Sequence, residues 1–264
     1  KTTGKHFDYR YLITYWFLLL AQKHSFTSAL SSKFRTRQSI RSSHLQMAAV
    51  TKVSRIGKLT PSTTTFFLCD IQERFKPLMY NSETIISTSR YLTSIASTLS
   101  IPLIASQQYT KVFGNTIPEC FANGQVDVDN LKAKNRIFEK KLFSMMTTEV
   151  ESELEKEYFQ GRDSVVLFGI EAHVCVQQTC LDLLEQGKDV HIIVDCVSSQ
   201  QPFDREIALT RMESAGAHLT TAQSLAFMLM QSAEHEHFKV ISKLTVGHMK
   251  LPNQFNSSYE KSNL

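Results

Sequence analysis

The chain has 264 residues, of which 42% are hydrophobic and 20% are charged, a composition typical of a folded globular protein with one good-sized core or two small ones. Its net charge of +4 is concentrated at one end, because residues 1–46 carry eight Lys or Arg and one acidic residue. The remainder holds 21 basic and 24 acidic side chains, so it offers no basic stripe for binding nucleic acid.

Residues 1–46 differ in composition from the rest of the chain. The apolar run Tyr11–Ala21 is too short to cross a bilayer comfortably, and the Ser- and Arg-rich stretch Ser25–Gln46 has no acidic residue. We predict an extension outside the domain, a leader or translated upstream sequence, because Met47 followed by two alanines is typical of a natural start. The protein is expected in the cytoplasm, or in mitochondria if residues 1–46 are a transit peptide.

Residues 47–246 alternate between short apolar runs and helical patterns. Strands are predicted over residues 63–69, 102–106, 136–139, 164–168, 190–194 and 217–220. Helices are predicted over residues 82–99, 147–159, about 175–187, 203–214 and 222–231, and residues 107–130 form a long excursion at the carboxyl edge of the sheet. This alternation predicts a single three-layer α/β/α domain with a six-stranded parallel sheet, followed by a disordered polar tail at residues 247–264.

The turn after the first predicted strand contains none of the glycines that cradle phosphates. It reads Asp70-Ile71-Gln72-Glu73, which does not match G-x-G-x-x-G, and no G-x-x-x-x-G-K-[ST] motif occurs in the chain. A dinucleotide-dependent oxidoreductase and a P-loop enzyme are therefore disfavoured, and no cofactor is predicted.

The stretch from Ser164 to Cys175 is the part of the sequence richest in functional signals. A buried strand ends at Gly169, and a helical pattern then places Cys175 in its first turn, where the helix dipole favours a thiolate. The apolar stripe of that helix is formed by Val176, Cys180, Leu183 and Leu184, which leaves Cys175 off the buried face. A functional thiol is indicated, and a small buried hydrophobe is the alternative.

The five cysteines are widely scattered and form no C-x-x-C pair. This spacing argues against a zinc ribbon and against a dithiol motif, and it favours free thiols in a reducing compartment. A redox sensor would need Cys180 as the partner of Cys175. The two lie five residues apart on one helix and face different directions, which argues against that function.

Three residues that carry chemistry fall at the carboxyl ends of different predicted strands. Asp70 follows the first strand, Lys140 the third and Cys175 the fourth, and right-handed crossovers bring these ends to one edge of the sheet. A thiolate nucleophile needs a base to take its proton and a cation to stabilise charge, and Asp70 and Lys140 supply these groups. Taken singly, Asp70 could instead cap a helix and Lys140 could be a solvated surface residue.

Residues 61–230 resemble the isochorismatase-like cysteine hydrolases, and most of all the isochorismatase domain-containing proteins of animals. The resemblance rests on motifs in the same order along the chain: F-L-C-D-I-Q (67–72), K-K-L-F-S-M (140–145), G-I-E-A-H-V-C (169–175) and V-D-C-V-S-S (194–199), followed by R-M-E-S-A-G-A (211–217). It implies a six-stranded parallel sheet flanked by helices, in agreement with the pattern above.

The resemblance also implies roles for individual residues. Asp70 would be the general base, Cys175 the nucleophile, and Lys140 the charge-stabilising member. Lys140 is chosen over the adjacent Lys141 because it fits the K-x-x-[FY]-S spacing.

The same resemblance implies substrate-binding residues. A non-proline cis peptide would join Ile170 and Glu171 and direct main-chain N–H groups at a substrate oxyanion. Gln72 and Gln108 are candidate substrate-facing groups. Members of the family are often dimers or larger, so a homo-oligomer is expected.

The sequence departs from the family at two points. Nicotinamidases of this superfamily bind a metal through Asp-x-His after the second or third strand, but Ser106-Gln107-Gln108-Tyr109 stands at the end of the second, so no metal is predicted. Glu171 occupies a position where many bacterial members have a small or hydroxylated residue, so isochorismate is not implied as the substrate.

The sequence thus predicts a metal-independent hydrolase that acts on a small amide or related acyl substrate through a thioester on Cys175, with Asp70 and Lys140. The alternative is a catalytically silent scaffold that binds a ligand or a partner protein. The physiological substrate cannot be read from the sequence, because it depends on the excursion at residues 107–130 and on any neighbouring subunit.

Overall fold

The structure, a computed structural model, describes residues 56–121 and 136–256. Within these ranges the strands are β1 (Thr64–Cys69), β2 (Leu103–Gln108), β3 (Ile137–Lys140), β4 (Ser164–Ile170), β5 (Asp189–Ser198) and β6 (His218–Thr220). They form one sheet in the order β3-β2-β1-β4-β5-β6, and every neighbouring pair is parallel. The predicted six-stranded parallel sheet is confirmed.

Helices cover both faces of this sheet. The described helices are α1 (Ser82–Thr98), α2 (Thr110–Phe113), α3 (Thr148–Leu154), α4 (Gln177–Glu185), α5 (Pro202–Ser214), α6 (Ala222–Met230) and α7 (Phe238–Met249), and a π-helical turn, Ala172–Val176, leads into α4. On one face α1 packs against α6 and α7, and on the other α4 packs against α5. None of the helices within the described ranges is long and apolar enough to cross a membrane.

The two central strands, β1 and β4, form the middle of the core. Every residue of both strands is buried, which explains why they are continuous apolar runs without alternation. Phe66 of β1 and Phe168 of β4 meet edge to face with their ring centroids 6.2 Å apart. The strand order reverses between these two strands, and in open parallel sheets such a reversal opens a crevice at the carboxyl ends.

Gly169 allows the ends of β1 and β4 to approach closely. Its φ of +127° favours glycine, and a Cβ at this position would lie only 2.1 Å from the carbonyl oxygen of Cys69. Any other residue would push the loop after β4 away from the end of β1. The segment that carries Cys175 is therefore held against the segment that carries Asp70.

Several predicted boundaries differ from the structure. The strand expected over residues 190–194 extends from Asp189 to Ser198, because a register irregularity after Leu167 lets β5 resume its pairing with β4 through Val197. The helix expected over residues 147–159 ends as α3 at Leu154 and is followed by a short 3-10 turn at Glu157–Phe159.

The domain boundary predicted at residue 246 lies inside a helix that was not predicted from the sequence. The helix α7 continues to Met249, and only two of its residues, Ile241 and Thr245, are buried, so its apolar stripe is weak in the sequence. The chain then packs on α1, where the main-chain N–H of Gln254 donates to Thr84 Oγ1 at 3.0 Å. The predicted disordered tail therefore does not begin at 247, and residues 257–264, like 1–46 and part of the predicted excursion, lie outside the described residues.

Candidate active site

Asp70 is the first residue after β1, and both of its carboxylate oxygens are engaged. It is 1% exposed, and its φ of +47° turns the chain sharply at the end of the strand. Oδ1 accepts a hydrogen bond from Ser106 Oγ at 2.7 Å, and Oδ2 accepts one from Lys140 Nζ at 2.6 Å. Ser106 lies within reach because β2 pairs with β1 in a register that places it beside Cys69.

Lys140 ends β3, and its ammonium is enclosed by acceptors. Besides Asp70, Nζ donates to Gln108 Oε1 at 2.8 Å and to the main-chain carbonyls of Phe143 and Leu142 at 2.8 and 3.2 Å. Burial of the amine lowers its pKa, but its interactions with the Asp70 carboxylate and, next, with Cys175 outweigh this effect. The pKa of Lys140 is therefore raised above its ordinary value, and the group remains an ammonium.

The choice between the two adjacent lysines is settled by burial. Lys140 is 4% exposed and contacts Asp70, whereas Lys141 is exposed and lies over the ring of Tyr109, 5.3 Å from its centroid. Lys140, the lysine selected by the spacing argument, is the one that pairs with Asp70, and its catalytic role stays a prediction.

Cys175 lies in the π-helical turn between β4 and α4 and is 7% exposed. Its carbonyl accepts a hydrogen bond from Thr179 Oγ1 at 2.6 Å, and the same hydroxyl accepts from the main-chain N–H of Met145 at 2.8 Å. Thr179 therefore ties the Cys175 turn to the loop after β3. Thr179 is fully buried, and its hydroxyl is satisfied by these two main-chain groups.

Cys69, the last residue of β1, also lies at this site. Its thiol is hydrogen-bonded to the side chain of Cys175. Complete burial, then the bond to Cys175 and the charge of Asp70, raise the pKa of Cys69 well above its ordinary value. Cys69 therefore stays a neutral thiol and can donate a hydrogen bond to a negatively charged sulfur on Cys175.

The peptide bond between Ile170 and Glu171 is cis, as the resemblance implied. Both residues are buried. The Glu171 carboxylate accepts from the main-chain N–H of Gln200 at 3.0 Å and from its side-chain amide at 3.3 Å. The substrate-binding role expected for Glu171 stays a prediction, and its carboxylate is bound to the loop between β5 and α5.

The two glutamines expected to face substrate have other partners. Gln72 is fully buried, and its amide binds the main-chain N–H and C=O of Gln108 at 2.7 and 2.9 Å and the carbonyl of Gly114 at 2.7 Å. The side chain of Gln108 accepts from Lys140 and donates to the carbonyl of Lys141 at 3.1 Å. Gln72 thus braces the loop after β2, and Gln108 positions the ammonium of Lys140.

Comparison with known proteins identifies the family. The model of the Isochorismatase domain matches residues 64–224, a range that includes Asp70, Lys140 and Cys175. The chain belongs to the isochorismatase family.

The relatives of this isochorismatase-family chain come from diverse organisms. A "Secreted isochorismatase effector Isc1" of Phytophthora sojae is 40% identical over 212 residues, which cover 80% of this chain and 98% of that protein. "Isochorismatase domain-containing protein 1" of Salmo salar is 42% identical over 194 residues, which cover 74% of this chain and 65% of that protein. A solved structure described as "MAR1 Ribonuclease from Caenorhabditis elegans" is 40% identical, covers 72% of this chain and 92% of its own, and has a TM-score of 0.63.

Three residues of this isochorismatase-family site were not predicted from the sequence: Ser106, Cys69 and Thr179. Ser106 had a usable signal, since a hydroxyl that ends a buried strand beside the Asp70 strand lies at the same sheet edge. Cys69 and Thr179 had no such signal in the sequence. Small residues are common in buried strands and on buried helix faces, so neither position stands out.

Proposed function

We propose that the protein is a cysteine hydrolase that cleaves a small amide or related acyl substrate through a thioester on Cys175. The observation that carries this proposal is the buried ion pair of Lys140 and Asp70, 2.6 Å apart, whose ammonium also interacts with Cys175. Removing two charges from water is costly, and a buried pair rarely stabilises a fold more than apolar residues of similar volume would. Its position at the carboxyl ends of the strands favours a catalytic role.

In the first half-reaction Asp70 takes the proton of Cys175, and the thiolate attacks the substrate carbonyl carbon to form a C–S bond. Lys140 interacts with both groups, so proton transfer exchanges a carboxylate–ammonium pair for a thiolate–ammonium pair without changing the net charge of the site. The bond to the leaving amine or alcohol then breaks, and Asp70 returns its proton to that group.

In the second half-reaction Asp70 takes a proton from water, and the hydroxide attacks the thioester carbonyl. The C–S bond breaks, the carboxylic acid product leaves, and the proton returns to the Cys175 sulfur. Cys69, held as a neutral thiol beside Cys175, supplies a hydrogen bond to the sulfur whenever it carries negative charge. No cofactor enters this scheme.

The test is a substrate screen that compares the parent protein with Cys175→Ala and with Cys180→Ala. Cys180 is also fully buried and lies five residues further along the same segment, so it is a matched control for loss of a buried thiol. We expect Cys175→Ala to lower turnover of a hydrolysed amide or ester by about 10⁴-fold or more, with Cys180→Ala close to the parent. A fully active Cys175→Ala variant would overturn the proposal.

The screen includes isochorismate and RNA, because the Phytophthora sojae and Caenorhabditis elegans relatives are named for these activities. Cys175-dependent cleavage of RNA would replace the amide in this proposal with a phosphodiester. The acidic balance of the chain beyond residue 46 favours the small acyl substrate over the polyanion.

Alkylation by iodoacetamide separates the hydrolase from a silent scaffold. A catalytic Cys175 reacts at pH values well below 8.5, the region where an ordinary thiol ionises, and Asp70→Asn removes this advantage. A Cys175 that reacts only near pH 8.5 in the parent would favour the scaffold.

A further inference from the structure

A second cluster of polar side chains lies at the opposite edge of the sheet from Cys175. Asp189 is the first residue of β5, and His218 is the first residue of β6. His191 pairs in register with His218, and it lies two residues after Asp189, so all three side chains can project from the same face of the sheet. Because the strands are parallel, their amino ends form an edge far from the ends that carry Asp70 and Lys140.

The donor atoms of this cluster are close together. Asp189 Oδ1 lies 3.0 Å from His218 Nε2, and Asp189 Oδ2 lies 3.7 Å from His191 Nε2. The two imidazole rings have centroids 4.9 Å apart, and one ligand atom from each of the three residues lies within 4.8 Å of the others. Asp189 and His191 are buried, and His218 is partly exposed.

Among residues 56–121 and 136–256, none forms a hydrogen bond with the buried Nε2 of His191. His191 is only 1% exposed, and its nitrogen is directed at the Asp189 carboxylate at a distance too long for a hydrogen bond. Buried polar groups are nearly always satisfied, so an orphaned imidazole nitrogen aimed at a carboxylate indicates a missing partner.

We infer that Asp189, His191 and His218 bind a divalent transition-metal ion, with zinc as the probe ion. Two imidazole nitrogens and one carboxylate oxygen are a donor set that zinc accepts, usually with water in the fourth position. Zinc–nitrogen and zinc–oxygen bonds of about 2.0–2.2 Å place tetrahedral donors roughly 3.4 Å apart, so binding needs a modest contraction of the cluster. His218, the partly exposed residue of the three, can shift to bring its nitrogen closer to the other two ligands.

Bound metal would join three parts of the chain. It would link β5 to the edge strand β6. It would also hold the segment before β1, because Gly57 packs so closely on His218 that a Cβ added at Gly57 would lie 2.9 Å from the His218 ring. The role at this edge is structural, since the site is remote from Cys175. The sequence predicted no metal, from the lack of an Asp-x-His pattern after the second or third strand, and the present inference departs from that prediction. The Asp-x-His pattern does occur, as Asp189-Val190-His191, at the start of the fifth.

The experiment is a zinc titration of untagged, metal-stripped protein, followed by calorimetry and thermal unfolding. We expect one zinc ion per chain with a dissociation constant of about 10 µM or tighter, and a rise in Tm of about 5–10 °C at zinc concentrations about 100-fold above that constant. Asp189→Asn and His218→Ala each should weaken binding by more than about 10-fold. Asp189→Asn preserves the shape of the side chain, and His218 is partly exposed, so both variants are expected to fold.

Two controls identify the ligands. His235→Ala/His237→Ala removes a different pair of histidines, whose ring centroids are 5.6 Å apart, and should leave the affinity for zinc unchanged. Cobalt in place of zinc should give a tetrahedral spectrum without a sulfur charge-transfer band, which excludes binding by Cys69 and Cys175. Absence of binding in the parent, a sulfur band, or unchanged affinity in both ligand variants would overturn the inference.

Discussion

The buried pair of Asp70 and Lys140 predicts a specific pattern of stabilities for two single variants and their combination. Asp70→Asn leaves the Lys140 ammonium with three neutral acceptors, from Gln108, Leu142 and Phe143, so it should lower the free energy of unfolding by about 3 kcal/mol. Lys140→Met leaves a buried carboxylate whose one remaining side-chain partner within the described part of the chain is the Ser106 hydroxyl, and should cost about 5 kcal/mol.

The double variant Asp70→Asn/Lys140→Met separates stability from function. It contains no unpaired buried charge, so we expect it to recover to within about 1–2 kcal/mol of the parent, while hydrolysis stays at least about 10²-fold below the parent in all three variants. Urea unfolding is followed by far-UV circular dichroism, because the single tryptophan, Trp16, lies outside the described residues. Strictly additive losses in the double variant, or single variants as stable as the parent, would refute the reasoning.

Two further predictions concern the fold. Gly169→Ala should lower the free energy of unfolding by more than about 4 kcal/mol, since its Cβ meets the Cys69 carbonyl oxygen at 2.1 Å, and loss of soluble protein or a shifted urea midpoint would reveal it. Burial raises the pKa of Cys120 and of Cys180 to about 12, so the unfolded chain loses these protons at lower pH than the folded one. Stability therefore falls as pH rises above about 9, by about 1.4 kcal/mol for each thiol by pH 10.

Each of these two predictions has a matched control. Gly187→Ala is the control for Gly169→Ala: Gly187 also has positive φ, but a Cβ there meets nothing within 4 Å, so its cost should be only about 1 kcal/mol. Equal losses in the two variants would show that contact with β1 is not the cause. For the thiols, Cys180→Ala should reduce the loss of stability between pH 8 and pH 10 by about 1.4 kcal/mol, and an unchanged slope would contradict the assignment.

The architecture could be predicted because the signals that specify it are local. Apolar runs at β1 and β4, bounded by Asp70 and Gly169, are recognisable without tertiary information, and parallel crossovers then place their ends together. α7 escaped prediction because its buried stripe is weak and its contacts with α1 are tertiary. The full length of β5 was missed because a register irregularity interrupts its pairing.

The three proposed catalytic residues could be placed from sequence, but their surroundings could not. The role of Cys69 depends on the close approach that Gly169 permits between two strands that lie 100 residues apart in the sequence. The partners of Gln72 and Glu171 are main-chain groups in loops, which no motif specifies. The nature of residues 1–46, the cytoplasmic location and the homo-oligomer remain predictions.

The reversal of strand order between β1 and β4 divides the site between two consecutive stretches of chain. The chain from β1 to α3 forms strands β3-β2-β1 and carries Asp70 and Lys140. The chain from β4 onward forms strands β4-β5-β6 and carries Cys175. A cut at the exposed turn around Gly161 would therefore yield two fragments, neither able to assemble the three groups alone. Fused to a pair of interacting proteins, these halves would form a complementation reporter whose signal depends on reassembly.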